Sequence, residues 1–251
     1  MIGELLPPGA VSVETRSDPP EAVLFPEEER LLSQAVLKRR VEFTTVRHCA
    51  RIALARLGIP AAPILPGEMG APQWPDGVVG SMTHCAGYRA AVVGLNTDLV
   101  TVGVDAEPHE ALPPDVLGTI SLPEERERLA QLAAARPDVH WDRLLFSAKE
   151  AVYKSWFPLT RRWLDFEEAN VVFDPGPELD LSLGSGESPQ PPGTFYARLL
   201  VPGPVVAGVS LPGFAGRWMV RDGLLFTAIA VTTGDGPATA QTATAERTIV
   251  L

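Results

Sequence analysis

Three short apolar runs follow one another between residues 77 and 107: GVVGSMTHC, YRAAVVGL and LVTVGVDAE. Each is rich in valine and the gaps hold Gly, Asn or Asp, so they are expected to form consecutive strands. Upstream, PEEERLLSQAV and LKRRVEFTTVRHCARIALARLG carry helical spacing, closed by Gly58 and Pro60 as C-cap and breaker. A second helix, FSAKEAVYKSW, is followed by LDFEEANVVF and TFYARLLV as strands and by WMVRDGLLFTAIAVTT as a hairpin around Asp222-Gly223. Helix and strands thus occur twice, an echo of topology without a sequence repeat. The expected fold is α+β, with two pseudo-symmetric halves, each a helix packed on a small, mainly antiparallel sheet. Residues 1–107 form the first half, 108–233 the second, and 234–251 a flexible tail. Residues 1–25 and 59–76 read as irregular. SLPEERERLAQLAAA reads as a helix opened by Ser121, with Pro123 in its first turn and Glu124 at capping-box spacing.

The chain has 251 residues, 45% of them hydrophobic, enough for a sizeable core. Its net charge of -10 argues against a nucleic-acid binder. The positive charge is concentrated: Lys38, Arg39, Arg40, Arg47, Arg51 and Arg56 stand against Glu42 alone, a net +5, which leaves -15 for the rest. MIGELLPPGA lacks a basic region followed by a long apolar run, so no signal peptide is expected. LLVPGPVVAGVSLPGFAG is broken by three prolines and four glycines and cannot be a spanning helix. A soluble, cytoplasmic protein without membrane partners is expected. Both cysteines follow a histidine, His48-Cys49 and His84-Cys85. Zinc ligands usually come as pairs two to four residues apart, and adjacent side chains on a helix diverge by about 100°. Buried thiols are therefore expected instead of zinc.

The chemistry concentrates in two places. In GVDAE, strand alternation points Asp105 and Glu107 to one face, about 7 Å apart, where they repel unless a cation lies between them. Carboxylate oxygens completed by water and phosphate describe a magnesium site; surface carboxylates are the plainer reading. In the second helix, Phe146, Tyr153 and Phe157 fall on one line, with Leu145, Val152 and Trp156 beside them. Lys149 lies inside this apolar sector and Glu150 at its margin. Glu150 could form a solvated i,i+4 bridge to Lys154, but that leaves Lys149 unexplained, whereas a bound polyphosphate would account for both lysines. The stripe of Arg40, Arg47 and Arg51 is likewise either a solvated face or an anion grip.

GVDAE, followed about forty residues on by FSAKEAVYK, resembles the paired signature of the 4'-phosphopantetheinyl transferases of the Sfp and EntD type: Gly-(Val/Ile)-Asp-x-Glu, then (Phe/Trp)-(Ser/Ala)-x-Lys-Glu-(Ala/Ser)-x-x-Lys. The resemblance takes in KRRVEFTTVRHCAR, GEMGAPQWPDG, VVGSMTHCAGY and WFPLTRRWLDFEEANVVF, roughly residues 25–230. It implies transfer of the phosphopantetheine arm of coenzyme A to a serine of an apo carrier protein, with release of adenosine 3',5'-bisphosphate. Magnesium, with manganese as the alternative, would be held by Asp105, Glu107 and Glu150. Glu150 would also serve as base for the serine, directly or through a water, and Lys149 and Lys154 would contact phosphates. Arg39, Arg40 and Arg47 would grip the 3'-phosphate, and Thr83 and His84 would reach the coenzyme's phosphates. Met69 and Ala71 stand where many relatives carry a cation, a departure that puts that phosphate contact in doubt. Phe146 replaces the commoner Trp and keeps an aromatic core residue.

The implied partners are carrier proteins or domains of fatty-acid, polyketide or nonribosomal-peptide synthases, the last including siderophore assembly. Carrier proteins are usually acidic, as is this chain, so docking must use a local patch; Arg161, Arg162 and Trp163 are candidates, a solvated turn being the alternative. Pseudo-symmetry within one chain makes a monomer the expectation. Two rivals stand beside the transferase: a magnesium-dependent phosphohydrolase acting on coenzyme A or a related nucleotide, and a non-catalytic coenzyme-binding module.

Overall fold

The computed structural model describes residues 1–175 and 192–234. The tail expected from 234 and most of the loop between the expected strands LDFEEANVVF and TFYARLLV lie outside the described residues. In chain order the elements are β1 (Val11–Thr15), α1 (Pro26–Arg30), α2 (Leu37–Arg56), β2 (Val78–Cys85), β3 (Tyr88–Leu95), β4 (Leu99–Pro108), α3 (Val116–Ile120), α4 (Pro123–Ala135), α5 (Trp141–Thr160), β5 (Ala169–Asp174), β6 (Gly193–Leu199), β7 (Val205–Val206), β8 (Val209–Ser210), β9 (Gly213–Arg221) and β10 (Leu224–Thr232).

The α+β expectation holds. A three-stranded sheet has the order β1-β3-β2, a five-stranded sheet the order β4-β10-β9-β6-β5, and β7-β8 form a small ribbon; every pairing is antiparallel. The β9-β10 turn puts Asp222 at φ 51° and Gly223 at φ 75°, the doubly left-handed conformation that suits a two-residue hairpin. Helix α2 buries Ala50, Ala53 and Leu54 with Ala91 and Val93 of β3. Helix α5 buries Leu144, Leu145, Val152 and Trp156 with Phe195, Phe214 and Trp218. A third cluster joins the sheets, with Tyr88 and Phe226 edge to face at 5.0 Å among Val102, Val104 and Ala106. Each fully buried Val, Leu or Phe among these contributes about 1.5–3 kcal/mol, and each alanine less.

Four readings of the sequence need correction. Residues 11–15 are not irregular: VSVET pairs along β3 from Val11↔Val93 to Thr15↔Arg89, a short alternating strand whose flanking prolines mask it. The first helix is not continuous, because the chain turns between Arg30 and Leu37 and carries α1 back over α2. There Glu28, fully buried, accepts from Arg51 at 3.0 Å and from the Ile64 amide at 2.8 Å. The Asp-x-Glu strand does not belong to the N-terminal half, since β4 ladders with β10 along its length, from Leu224↔Pro108 to Thr232↔Leu99. β4 is thus the first strand, in chain order, of the five-stranded sheet. Finally, α4 begins one residue later than expected: Leu122 is the N-cap and Glu125, not Glu124, accepts from its amide at 2.8 Å.

The two sheets meet along β2 and β4, which run in the same direction but share no backbone ladder. Hydroxyls bridge them instead: Ser81 Oγ accepts from the Val104 amide and Thr83 Oγ1 from the Ala106 amide, each at 3.1 Å.

Candidate active site

Alternation along β4 sends Val102, Val104 and Ala106 into the core and turns Thr101, Gly103, Asp105 and Glu107 toward α5. The helix lies unusually close. Thr101 Oγ1 donates to the Ser155 carbonyl at 3.0 Å. A Cβ on Gly103 would fall 2.2 Å from the Ala151 carbonyl oxygen, so only glycine fits. On β10, Thr227 lies opposite Asp105 and meets the Ser147 hydroxyl at 2.9 Å. A polar face of α5 thus rests on the strand that carries the two acids, while its apolar face enters the core.

Asp105 is buried, 4% exposed. Its Oδ1 accepts from Lys154 Nζ at 2.7 Å and from Thr83 Oγ1 at 3.1 Å; its Oδ2 is buried without a partner. Lys154 also donates to the Val104 carbonyl at 3.2 Å. Glu107 Oε2 accepts from Arg143 Nη1 at 3.0 Å. Glu150 lies one turn before Lys154 and lines a cleft with it. Burial and Asp105 push the Glu107 carboxyl up to about 7, against the pull of Arg143. Burial also raises Glu150, with Lys154 opposing and Asp105 adding. Burial alone would depress the Lys154 ammonium, but Asp105 and Glu150 more than offset it, so its pKa is raised. Three carboxylates therefore load one lysine, an arrangement that favours further positive charge.

The cleft, about 1060 Å³, opens between α2, the 66–74 loop, β2, the start of β4 and the C-terminal half of α5. Arg39, Arg47, Lys154, Arg161, Glu68 and Glu150 supply its charge and His84 a polar edge; Phe43, Trp74, Tyr153 and Phe157 supply apolar wall. Arg47 lies flat on Phe43, 3.2 Å from guanidinium carbon to ring centre, and its Nε donates to the Ile64 carbonyl at 2.9 Å. Burial lowers its pKa to about 10, leaving it cationic. His84 Nε2 lies 3.2 Å from Arg39 Nη1. Arginine only donates, so that nitrogen accepts and the proton sits on Nδ1. Burial lowers the His84 pKa, with Glu42 opposing and Arg39 and Lys154 reinforcing, which keeps the ring neutral at pH 7. Met69 lines the cleft at a left-handed φ of 52° and brings no charge to it.

Three residues expected at phosphates lie elsewhere. Arg40 donates to the Leu32 carbonyl at 2.7 Å, bracing the turn before α2, and is not in the cleft wall. Thr83 is buried behind Asp105 and serves that carboxylate. Lys149 faces away, buried, with its ammonium 2.7 Å from Glu125 Oε2 and 2.7 Å from the Phe166 carbonyl. The ammonium among aromatic rings thus has an internal partner. Glu125, Arg143 and Ser81 escaped the sequence reading, because their contacts cross between elements at spacings that no periodicity reveals. Cys49 and Cys85 are buried, and burial pushes their thiols up to about 11 and about 12.

The donor set suits a hard divalent cation: three acids, one with a buried oxygen lacking any partner. The fit is one of chemistry and not of finished geometry. Among the described residues no group of three or more His, Cys, Asp or Glu side chains stands ready to hold a metal ion, and Lys154 and Arg143 occupy two of the acids.

Residues 27–94 match the family model described as 4'-phosphopantetheinyl transferase N-terminal domain, and residues 101–195 that of the 4'-phosphopantetheinyl transferase superfamily. The gap between the two matches, residues 95–100, runs from the end of β3 into the start of β4. The chain is 55% identical over 241 residues to 4'-phosphopantetheinyl transferase Svp of Streptomyces mobaraensis, covering 95% of this chain and 92% of that protein. It is 52% identical over 216 residues to 4'-phosphopantetheinyl transferase PptT of Mycobacterium tuberculosis, covering 86% and 89%. Enterobactin synthase component D of Salmonella typhi is 37% identical over 138 residues, 53% of this chain and 54% of that one. A cleft ringed by cations, an acid-bearing strand beneath a Lys-Glu helix, and these likenesses over nearly the whole chain lead to one assignment: the chain belongs to the 4'-phosphopantetheinyl transferase superfamily.

Proposed function

We propose that this chain moves the 4'-phosphopantetheine arm of coenzyme A onto a serine hydroxyl of an apo carrier protein, with adenosine 3',5'-bisphosphate as the second product. The observation that carries the reading is the junction of an anion-binding cleft with the acids beside it: Lys154 lines the cleft and touches Asp105, whose second oxygen lacks a partner.

Arg39, Arg47 and Lys154 are the cations available to the coenzyme's phosphates, with Arg39 and Arg47 suited to the 3'-phosphate. His84, proton on Nδ1, orients Arg39. Asp105, Glu107 and Glu150 would hold magnesium, or manganese, which when bound supplies charge neutralisation at the pyrophosphate. Glu150 takes the proton of the incoming serine, directly or through a water; its raised pKa improves it as a base. Phe43, Trp74, Tyr153 and Phe157 exclude water from the arm. The carrier reaches this mouth over Arg161, Arg162 and Trp163, whose indole is 58% exposed. Carrier domains of fatty-acid, polyketide or nonribosomal-peptide synthases fit equally. Among the described residues no helix is long and apolar enough to cross a membrane; a cytoplasmic monomer is a separate part of the proposal.

Incubation with coenzyme A, magnesium and an apo carrier tests the proposal by mass: the carrier gains about 340 Da, the arm of this cofactor. Free phosphopantetheine formed without any acceptor would instead make the protein a hydrolase, and tight binding with no transfer would make it a binding module. Glu150→Ala should lose transfer by orders of magnitude; a near-normal rate in that variant moves the site elsewhere.

A further inference from the structure

Arg143 lies in the first turn of α5, outside the cleft, yet its guanidinium is wholly engaged at the end of the acid-bearing strand. Nη1 donates to Glu107 Oε2 at 3.0 Å, Nε to the Glu110 carbonyl at 3.2 Å, and Nη2 to the Ala111 carbonyl at 3.0 Å. The side chain is 13% exposed. All three nitrogens converge on one stretch of five residues, which a surface ion pair does not do. The neighbouring Asp142 fixes the same segment, accepting from the Leu112 amide at 2.8 Å. The chain after β4 would otherwise leave Glu107 free to swing, since its other carboxylate oxygen has no hydrogen bond among the described residues. Glu107 receives one N–H, and the other two nitrogens, held on the Glu110 and Ala111 carbonyls, fix that donor in place and leave the second carboxylate oxygen for a cation; an ammonium lacks this rigid planar spread of donors.

We propose that Arg143 is a positioning residue: it aims the free oxygen of Glu107 at the divalent-cation site and thereby sets the cation affinity of the enzyme without touching coenzyme A or carrier. The inference rests on the reading of Asp105, Glu107 and Glu150 as cation ligands. Groups that orient a metal-bound carboxylate usually change metal affinity by about tenfold to a hundredfold when removed.

The test uses Mn2+ as probe, its binding to the full chain followed by electron paramagnetic resonance with coenzyme A present and no acceptor, so that no turnover enters the readout. Arg143→Gln should weaken Mn2+ at least about tenfold, and raise the magnesium needed for half-maximal transfer by a like factor, while the KM for coenzyme A moves less than about threefold. In a Glu107→Gln background the same change should add nothing, because its target is gone. Asp142→Ala, which removes the acceptor for the Leu112 amide and loosens the same segment without touching Glu107, should leave Mn2+ binding as it is. Unchanged Mn2+ affinity in a folded Arg143→Gln, or a full loss persisting in the Glu107→Gln background, overturns the proposal. If Arg143→Gln does not fold, Arg143→Lys decides by the same measurements: affinity equal to the parent's sinks the idea, a clear loss supports it. Failure of the unaltered protein to bind Mn2+ at all would instead remove the cation site itself.

Discussion

Lys149 and Glu125 form a buried ion pair between α5 and α4, Nζ to Oε2 at 2.7 Å. Glu125 also accepts from the Leu122 amide at 2.8 Å and the Val171 amide at 2.7 Å, and Lys149 donates to the Phe166 carbonyl. One carboxylate and one ammonium thus tie α4, α5, the 166–168 turn and β5 together. Burial depresses the Lys149 ammonium and Glu125 counters it. Lys149 and Glu150, adjacent in sequence, serve opposite sides of the helix: one anchors it, the other faces the cleft.

Removal of either member of this pair should therefore cost stability before chemistry. Lys149→Met leaves the Glu125 charge buried without its cation, a loss of about 3–5 kcal/mol, visible as a lower urea midpoint. The folded fraction should keep its KM for coenzyme A within about twofold, because the ammonium is engaged by Glu125 and the Phe166 carbonyl away from the cleft. A variant with unchanged midpoint but a greatly raised KM would return Lys149 to the phosphates.

The two neighbouring arginines of α2 should behave differently. Arg39 lines the cleft beside His84, so Arg39→Ala should raise the KM for coenzyme A about tenfold or more, the usual effect of losing a hydrogen bond from a charged group. Arg40 braces the Leu32 carbonyl, and Arg40→Ala should leave that KM within about twofold. Steady-state kinetics on both variants reads the contrast, and equal effects would undo the assignment.

Glu107 gives a pH signature. Its folded value is raised from 4.5 to about 7, so the folded chain holds a proton that the unfolded chain has released. Without divalent ions this stabilisation is full below about 4.5 and is lost as pH rises through about 7. Magnesium takes the ionised form, so the rise in Tm on adding it should grow over the same window. Melting curves from pH 5 to 8, with and without magnesium, measure this; a magnesium effect independent of pH would exclude Glu107 from the ligands.

Trp163 is exposed at the end of α5 with its ring 5.2 Å from that of Tyr153, which lines the cleft. If the carrier docks there, Trp163→Ala should raise the KM for carrier about tenfold, as loss of an aromatic anchor does at other interfaces. The KM for coenzyme A should stay put. Equal carrier kinetics for parent and variant would shift the docking face away from this turn.

The sequence makes the local features legible and the distant pairings obscure. Valine-rich runs bounded by Gly, Asn or Asp locate β2, β3 and β4, and alternation turns Asp105 and Glu107 to one side; Asp222-Gly223 locates the last hairpin, whose two-residue turn suits a left-handed pair. Sheet membership of β4 is invisible, since its partner β10 lies more than a hundred residues away. Helical spacing puts Lys149 in an apolar sector but does not reveal Glu125, because the contact depends on how α4 crosses α5. Likewise the arginine stripe of α2 divides among cleft, Glu28 and the Leu32 carbonyl only once the turn at 31–36 has folded α1 back.

The hydroxyls of Ser81 and Thr83 carry a last implication. Because they stand in for a backbone ladder between β2 and β4, these two small side chains help fix how the sheet beside α2 is aligned with the strand that carries Asp105 and Glu107. Exchanging the first ninety-odd residues between relatives should therefore yield a working hybrid only when both alcohols travel with the graft, and Thr83→Val alone should let the halves keep their folds yet lose their mutual registration.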